Sequence, residues 1–197
     1  MIAQTLHMPQ SLKYHLTQEQ ISAEWRLVEA AKANPKAFEP LYKTYYPRIM
    51  QFVYQRIDNK ELAYEITSEV FYAALKNLSK YKSQHIPFGA WLFRIALNKL
   101  HETFRKKNSQ RTINLDNEGL GALKNEIEIN ENMPADKKLF AALDLLKEDE
   151  MELIEMRFFE NRSFKDICDI TGLGESACKM RIYRILEQLK KELEKNN

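Results

Sequence analysis

The stretch that most constrains this chain is residues 163–189, SFKDICDITGLGESACKMRIYRILEQL. Ser163 stands three residues before Asp166, which is the spacing of a capping box, so the sequence predicts that a short helix begins there. Gly172 then interrupts the helix, because glycine accepts the left-handed backbone that a tight turn requires. A second helix following so short a turn predicts a helix-turn-helix.

The predicted second helix has two different faces, since residues three and four apart lie on one side. One face is an apolar stripe of Cys178, Ile182, Ile185, Leu186 and Leu189. The opposite face and its edges carry groups that suit phosphates or base edges in a major groove, namely Ser176, Lys179, Met180, Arg181, Tyr183 and Arg184. Taken alone, the helix leaves open that it is a solvated amphipathic helix without a DNA partner.

The whole stretch follows the pattern S-[FY]-x-[DE]-I-x-x-x-x-G-[LI]-x-E-x-x-[VC]-K-x-R-[IL]-x-R. This pattern resembles the promoter-reading helix-turn-helix of the extracytoplasmic-function (ECF) sigma factors of bacteria. The resemblance implies that the second helix reads the minus-thirty-five element, with Lys179, Arg181 and Arg184 at phosphates or bases. It also implies that Ser176, Ala177 and Tyr183 lie close to base edges, and that Arg157 reaches the DNA backbone.

A second stretch, residues 87–107, fits the same family. Apolar side chains surround most of this predicted helix and leave one narrow line of polar ones, here named the polar stripe: Arg94, Asn98, His101 and Arg105. Arginine can hold phosphates and asparagine a base edge, so the stripe suits a nucleic-acid strand. The string F-x-x-W-L-x-R-I-A-x-N resembles the promoter-melting segment of ECF sigma factors. The resemblance implies that the stripe holds the unpaired minus-ten strand and that the preceding loop, with Tyr81 and Lys82, captures it.

A third stretch, residues 61–78, gathers carboxylates on one side of a predicted helix. Acidic groups near a helix start are favourable with the helix dipole, which is a purely structural explanation. The stretch is also similar to D-L-x-Q-E-x-F, the signature that docks ECF sigma factors on the clamp helices of the polymerase β′ subunit. Glu65, Glu69 and Phe71 match that signature, and Ser68 replaces the usual glutamine. The resemblance implies that these four residues bind core RNA polymerase.

Composition indicates the fold class. Glycine (5 residues) and proline (6) are scarce in a chain of 197, which favours helices over a turn-rich β architecture. We therefore expect an all-α protein of two small helical domains joined by a flexible linker. The predicted segments are an N-terminal extension (1–23), a polymerase-binding and minus-ten-melting domain (24–107), a flexible acidic linker (108–135) and a helix-turn-helix domain (136–197).

The sequence offers little support for catalysis or for a cofactor. Cys168 and Cys178 both sit on predicted apolar faces, and the four histidines have no metal-ligand spacing. No nucleophile with its base and no glycine-rich phosphate loop is recognisable. No apolar run approaches the roughly twenty residues of a membrane span. We expect a cytoplasmic protein that is not an enzyme, binds no metal or cofactor and does not insert into a membrane.

The sequence thus predicts an ECF sigma factor that binds core RNA polymerase, recognises promoter DNA and promotes transcription initiation. The family also implies an anti-sigma protein as a further partner. The main alternative is a helix-turn-helix regulator that binds duplex DNA without the polymerase. That alternative leaves the polar stripe and the acidic helix unexplained.

Overall fold

The computed structural model describes residues 18–57, 59–82, 86–107, 116–127 and 135–195. In these ranges the chain is helical, with turns and no strand, which confirms the predicted all-α class. The α-helices there are α1 (Gln18–Ala33), α2 (Glu39–Ile57), α3 (Lys60–Asn77), α4 (Phe88–Lys107), α5 (Asn117–Ile127), α6 (Ala135–Leu143), α7 (Glu148–Ile154), α8 (Phe164–Thr171) and α9 (Glu175–Lys195).

The first domain is built from α1 to α4. The chain turns after α1 because the Asn34 side chain accepts a hydrogen bond from the Lys36 amide (3.1 Å) and caps a 3-10 turn at Pro35–Phe38. Val28 of α1 is fully buried, so α1 belongs to this core. Because α1 begins at Gln18, the last part of the predicted N-terminal extension is helical, while residues 1–17 lie outside the described part of the chain.

The second domain contains the predicted helix-turn-helix. Ser163 and Asp166 form the expected capping box at the start of α8, with the Asp166 amide donating to the Ser163 hydroxyl at 3.1 Å. Gly172 ends α8 with a φ of 81°, the left-handed conformation that the sequence predicts. α9 follows after two further residues, and its apolar stripe packs inward.

The predicted flexible linker is in part folded. Within it, α5 buries three apolar side chains, Leu120, Leu123 and Ile127, against α9 and a π-helical turn at Glu155–Phe159. Gly119 permits the close approach, since a Cβ there would lie 2.3 Å from Phe159 Cδ1. These three residues are spaced three and four apart, as in an amphipathic helix. The sequence analysis weighed the acidic composition of the segment instead and therefore predicted a linker. The rest of the predicted linker, residues 108–115 and 128–134, lies outside the described part.

Candidate DNA and polymerase surfaces

The outward face of α9 carries most of the predicted duplex-reading residues. Ser176, Ala177 and Arg184 are exposed, as are Met180 (53%) and Tyr183 (47%). The opposite face is buried in the second domain. The helix therefore presents small polar, aromatic and cationic groups to solvent on one side, as a recognition helix requires.

An aromatic ring that the sequence reasoning did not select organises this surface. The Arg157 guanidinium lies 4.7 Å from the centroid of Phe164, and the Lys179 ammonium lies 5.6 Å from it. The Tyr183 ring is 6.4 Å away. Phe164, the first residue of α8, thus gathers two predicted phosphate cations and a predicted base contact in one place. The [FY] position of the motif was the available signal for it.

Two of the predicted DNA-binding cations on α9 form ion pairs with acidic side chains. Arg181 is half-buried and forms an ion pair with Asp149 on α7, a partner that the sequence did not predict. Lys179 is paired with Glu175 one turn earlier (2.8 Å), and this hydrogen bond with the carboxylate raises the pKa of the lysine. Both side chains are therefore held in place by neighbours in their own domain.

The polar stripe on α4 is only partly open. Asn98 and Arg105 are exposed. Arg94 instead donates hydrogen bonds to the second domain, from Nε to the Ile170 main-chain oxygen (3.1 Å) and from Nη2 to that of Asp169 (2.7 Å). His101 is bonded through Nε2 to the carboxylate of buried Glu152 on α7 (2.5 Å).

The structure revises the prediction for the capturing loop. Tyr81 is 5% exposed, stacks at 4.9 Å from the Trp91 ring and donates its hydroxyl to the Ile86 carbonyl at 2.8 Å. Burial and, less strongly, the charge of Glu24 raise the pKa of its hydroxyl. Tyr81 is thus a core residue that anchors the loop. Lys82 is exposed, while residues 83–85 lie outside the described part.

The predicted polymerase face of α3 also needs one correction. Glu65, Ser68 and Glu69 are exposed, but Phe71 is 3% exposed and packs against Tyr42, with 4.8 Å between ring centroids. Phe71 lies inward because it is four residues after the buried Thr67 and three before the buried Ala74, on the same face of α3.

Apolar groups continue this outward face of α3. Tyr72 (68%) and Leu75 (42%) are exposed one and two turns beyond Ser68. Together with the exposed carboxylates they form a mixed apolar and acidic face, which suits a protein interface more than a nucleic-acid one. Sequence reasoning from the acidic signature alone missed these two residues.

The described part of the chain also contains two buried cysteines and one cluster of metal-ligand-type residues. Cys168 and Cys178 are buried and free, and burial raises the pKa of Cys178 to about 12, so both thiols act as small apolar groups. Ligand-type atoms of His101, Glu148 and Glu152 lie within 4.8 Å of one another. These residues come from two domains, and for that reason no sequence spacing predicted their meeting.

Two stretches of the chain match models of known protein families. The profile of the family described as Sigma-70 region 2 matches residues 41–110, and that described as Sigma-70, region 4 matches residues 136–189. Together these matches cover more than half of the 197 residues. Within the described part, no helix is both long enough and apolar enough to cross a membrane.

Several curated relatives are similar over most of this chain. The ECF RNA polymerase sigma factor BldN of Streptomyces coelicolor is 30% identical over 83% of this chain, which spans 63% of that protein's length. The RNA polymerase sigma-H factor of Pseudomonas aeruginosa is 28% identical over 91% of this chain and 96% of its own. The ECF RNA polymerase sigma factor SigW of Bacillus subtilis is 24% identical over 85% of this chain and 95% of its own.

Two solved structures share the fold. CnrH, solved in complex with the cytosolic domain of CnrY, superposes with a TM-score of 0.57 at 23% identity, covering 89% of this chain and 99% of that one. The sigma factor RpoE from Bartonella quintana, solved with the anti-sigma factor NepR, gives a TM-score of 0.50 at 18% identity, covering 81% and 98%. These two likenesses show the fold, and the class of protein is defined by the matches to Sigma-70 region 2 in the first domain and to Sigma-70, region 4 in the second. This chain belongs to the sigma-70 family of RNA polymerase sigma factors, in its ECF group.

Proposed function

We propose that this protein binds core RNA polymerase, holds the unpaired minus-ten strand on α4 and reads the minus-thirty-five duplex with α9, so that transcription initiates at specific promoters. The observation that carries the proposal is the separation of two surfaces on two domains. Asn98 and Arg105 are exposed on α4, and Tyr183 and Arg184 are exposed on α9. A sigma factor needs both surfaces, whereas a regulator that binds duplex DNA alone needs only the second.

The outward face of α3 is the proposed polymerase contact. Glu65, Ser68 and Glu69 supply its polar part, and Tyr72 and Leu75 supply exposed apolar area. The protein itself is assigned no catalytic activity, because RNA synthesis belongs to the polymerase. Its place of action is the cytoplasm, where the polymerase works.

An anti-sigma protein is the proposed negative partner. CnrH was solved in complex with the cytosolic domain of CnrY, and RpoE with the anti-sigma factor NepR. We extend such a partner to this chain as part of the proposal. The surfaces it would cover are those that otherwise face the polymerase and the promoter.

Reconstituted transcription tests the proposal. Core RNA polymerase is incubated with genomic fragments, with and without the full-length protein, and transcripts are scored with their start sites. Asn98→Ala and Arg184→Ala should each abolish specific initiation, while Lys191→Ala, an exposed change further along α9, should leave it intact. A protein that shifts duplex DNA alone but directs no initiation with core polymerase would establish the stand-alone regulator instead.

Charge reversal tests the polymerase contact separately. Glu65→Lys should weaken binding to core polymerase, and Glu19→Lys, an exposed charge reversal on α1, should not. Equal binding of both variants would remove α3 from the proposed interface.

A further inference from the structure

Three side chains of metal-ligand type meet between α4 and α7. His101 belongs to α4, and Glu148 and Glu152 lie one turn apart on α7. Nε2 of His101 is 2.5 Å from a carboxylate oxygen of Glu152, and the ligand-type atoms of all three residues lie within 4.8 Å of one another. Residues four apart on a helix present their side chains to one side. Helix α7 therefore offers two carboxylates to a single imidazole.

The other acidic residues in the first turn of α7 are engaged elsewhere. Asp149 forms an ion pair with Arg181 on α9. The carboxylate of Glu150 accepts a hydrogen bond from the Lys147 amide at 3.0 Å and so caps the helix start. These contacts hold Asp149 and Glu150 in structural roles, whereas Glu148 and Glu152 are the carboxylates of this helix that meet His101.

The three ligand-type residues differ in burial. Glu152 is 5% exposed, while the side chain of His101 is 42% exposed and Glu148 is exposed. A buried carboxylate is costly unless hydrogen bonds or a cation compensate for its lost hydration. The arrangement thus combines one ligand fixed inside the protein with two that an ion can reach from solvent, which gives a metal a path of entry.

The buried charges beside these residues favour an added cation. Among the residues that the structure describes, the ionic contact between the two domains buries two guanidinium groups and three carboxylates, those of Arg56, Arg162, Glu152, Glu155 and Glu160. This set has one negative charge in excess. Glu148 adds a second carboxylate, and a histidine ligand is neutral. The local charge therefore suits a divalent ion.

The ligand types indicate which ion would bind. Zinc takes imidazole nitrogen and carboxylate oxygen at about 2.0–2.2 Å, often with three protein ligands and a water. Tetrahedral ligands at that distance are roughly 3.4 Å apart, so the pair of His101 and Glu152 would widen by about 1 Å as the ion replaces the hydrogen-bonding proton. Side-chain rotation allows such a shift. Magnesium and calcium prefer oxygen ligands alone, which makes them poorer matches.

We propose that His101, Glu148 and Glu152 form a binding site for one divalent transition-metal ion of the zinc class. A water molecule would be the fourth ligand. The inference is independent of the proposed function, because it concerns an ion held by the protein itself. An ion bound there links α4 to α7 and stabilises the folded protein increasingly as its concentration rises.

Calorimetric titration tests the site in the full-length protein. The protein is treated with a chelator, freed of it and titrated with zinc chloride, and the parent should bind one ion at this site. Glu148→Gln should weaken the affinity at least about tenfold, because the amide keeps the shape of the ligand but loses its charge. His101→Ala should have an effect at least as large. Glu194→Gln, which removes an exposed carboxylate on α9, is the matched control and should change nothing.

Cobalt(II) serves as a second probe, because its visible absorption reports the number and kind of its ligands. The parent should give the strong absorption of a four-coordinate ion, and Glu148→Gln should lose it. His85→Ala, which removes a different histidine, should leave the spectrum unchanged. A thiolate charge-transfer band in the near ultraviolet would place the ion on Cys168 or Cys178 and overturn the proposal.

Thermal unfolding provides the last measurement. Zinc should raise the melting temperature of the parent but not that of Glu148→Gln, and magnesium at the same concentration should raise neither. Equal zinc affinity in the parent, Glu148→Gln and His101→Ala would show an adventitious ion only, and equal stabilisation by magnesium would show unspecific binding to carboxylates. Either result would overturn the site. Circular dichroism checks each fold, and the exposed change Glu148→Gln decides the matter should His101→Ala misfold.

Discussion

Arg94 and Ile170 are 76 residues apart in the chain, yet Nε of Arg94 donates a hydrogen bond of 3.1 Å to the Ile170 main-chain oxygen. At the C-terminal end of α8, the Gly172 amide donates a hydrogen bond to the Cys168 carbonyl (2.8 Å). The Arg94 guanidinium donates to the next two carbonyls, those of Asp169 and Ile170. A side chain of the first domain thus completes the C-terminal cap of a helix in the second. The turn of the helix-turn-helix and the domain contact are therefore parts of one arrangement.

Gly172→Ala should destabilise the helix-turn-helix by about 1–2 kcal/mol, since alanine is strained in the left-handed region. The glycine has a φ of 81°, and its added Cβ would crowd Arg94. Urea unfolding measures the loss. Gly172→Asn, which tolerates this conformation better, is the matched control. Equal unfolding midpoints for the parent and Gly172→Ala would contradict the prediction.

Phe164→Leu should weaken binding to minus-thirty-five duplex about fivefold, because each exposed cation–π contact contributes about 0.5–1 kcal/mol to holding its cation. The ring carries Arg157 and Lys179. Since both cations remain, the slope of log affinity against log salt concentration should not change. Fluorescence anisotropy at several salt concentrations measures both quantities. Phe164→Tyr should retain the parent affinity, and a loss with tyrosine as large as with leucine would exclude this role of the ring.

Gly119→Ala should detach α5 from the second domain, because its Cβ would lie 2.3 Å from the Phe159 ring. Hydrogen exchange of the α5 amides should then become faster. Gly121→Ala is the matched control within the same helix, since its Cβ would meet nothing within 4 Å and alanine is the better helix former. Slow exchange of α5 in Gly119→Ala would show that the close approach is not required.

The contact between the two domains should depend on the charge of Glu160, because Arg56 of the first domain lies 2.5 Å from its carboxylate. Burial alone would raise the pKa of this carboxyl, but Arg56 and Arg162 outweigh burial and lower it to about 2. A carboxyl whose pKa is lowered in the folded protein stabilises the fold at pH values above its ordinary pKa near 4.5, and that contribution is lost as the pH falls toward 2. The free energy of unfolding, measured with urea at a series of pH values, should decrease over this interval. Glu160→Gln should remove this component of the pH dependence, and an unchanged profile would contradict the assignment.

Tyr81→Phe should lower the free energy of unfolding by about 1 kcal/mol, since the hydroxyl loses its bond to the Ile86 carbonyl. Initiation with core polymerase should be unchanged, because the ring lies in the core rather than at the strand. Chemical unfolding and transcription assays measure the two effects. Loss of initiation with unchanged stability would indicate that Tyr81 contacts the DNA strand, as the sequence analysis predicted.

The sequence by itself determined the local elements. The capping box at Ser163, the glycine turn at Gly172 and the two faces of α9 follow from residue type and spacing, because capping and helical periodicity act over a few residues. The polar stripe was also placed on one face of α4 by spacing alone. The motifs in these elements were sufficient to suggest the family.

Only the tertiary structure decided what covers each surface. That Tyr81 and Phe71 are buried, that α5 packs on the second domain, and that Arg56 meets Glu160 across 104 residues depend on contacts between distant segments. Side-chain chemistry specifies what a residue can bind, and spacing specifies its neighbours on one helix. The choice between solvent, DNA and another helix is made by packing, which local sequence patterns do not encode.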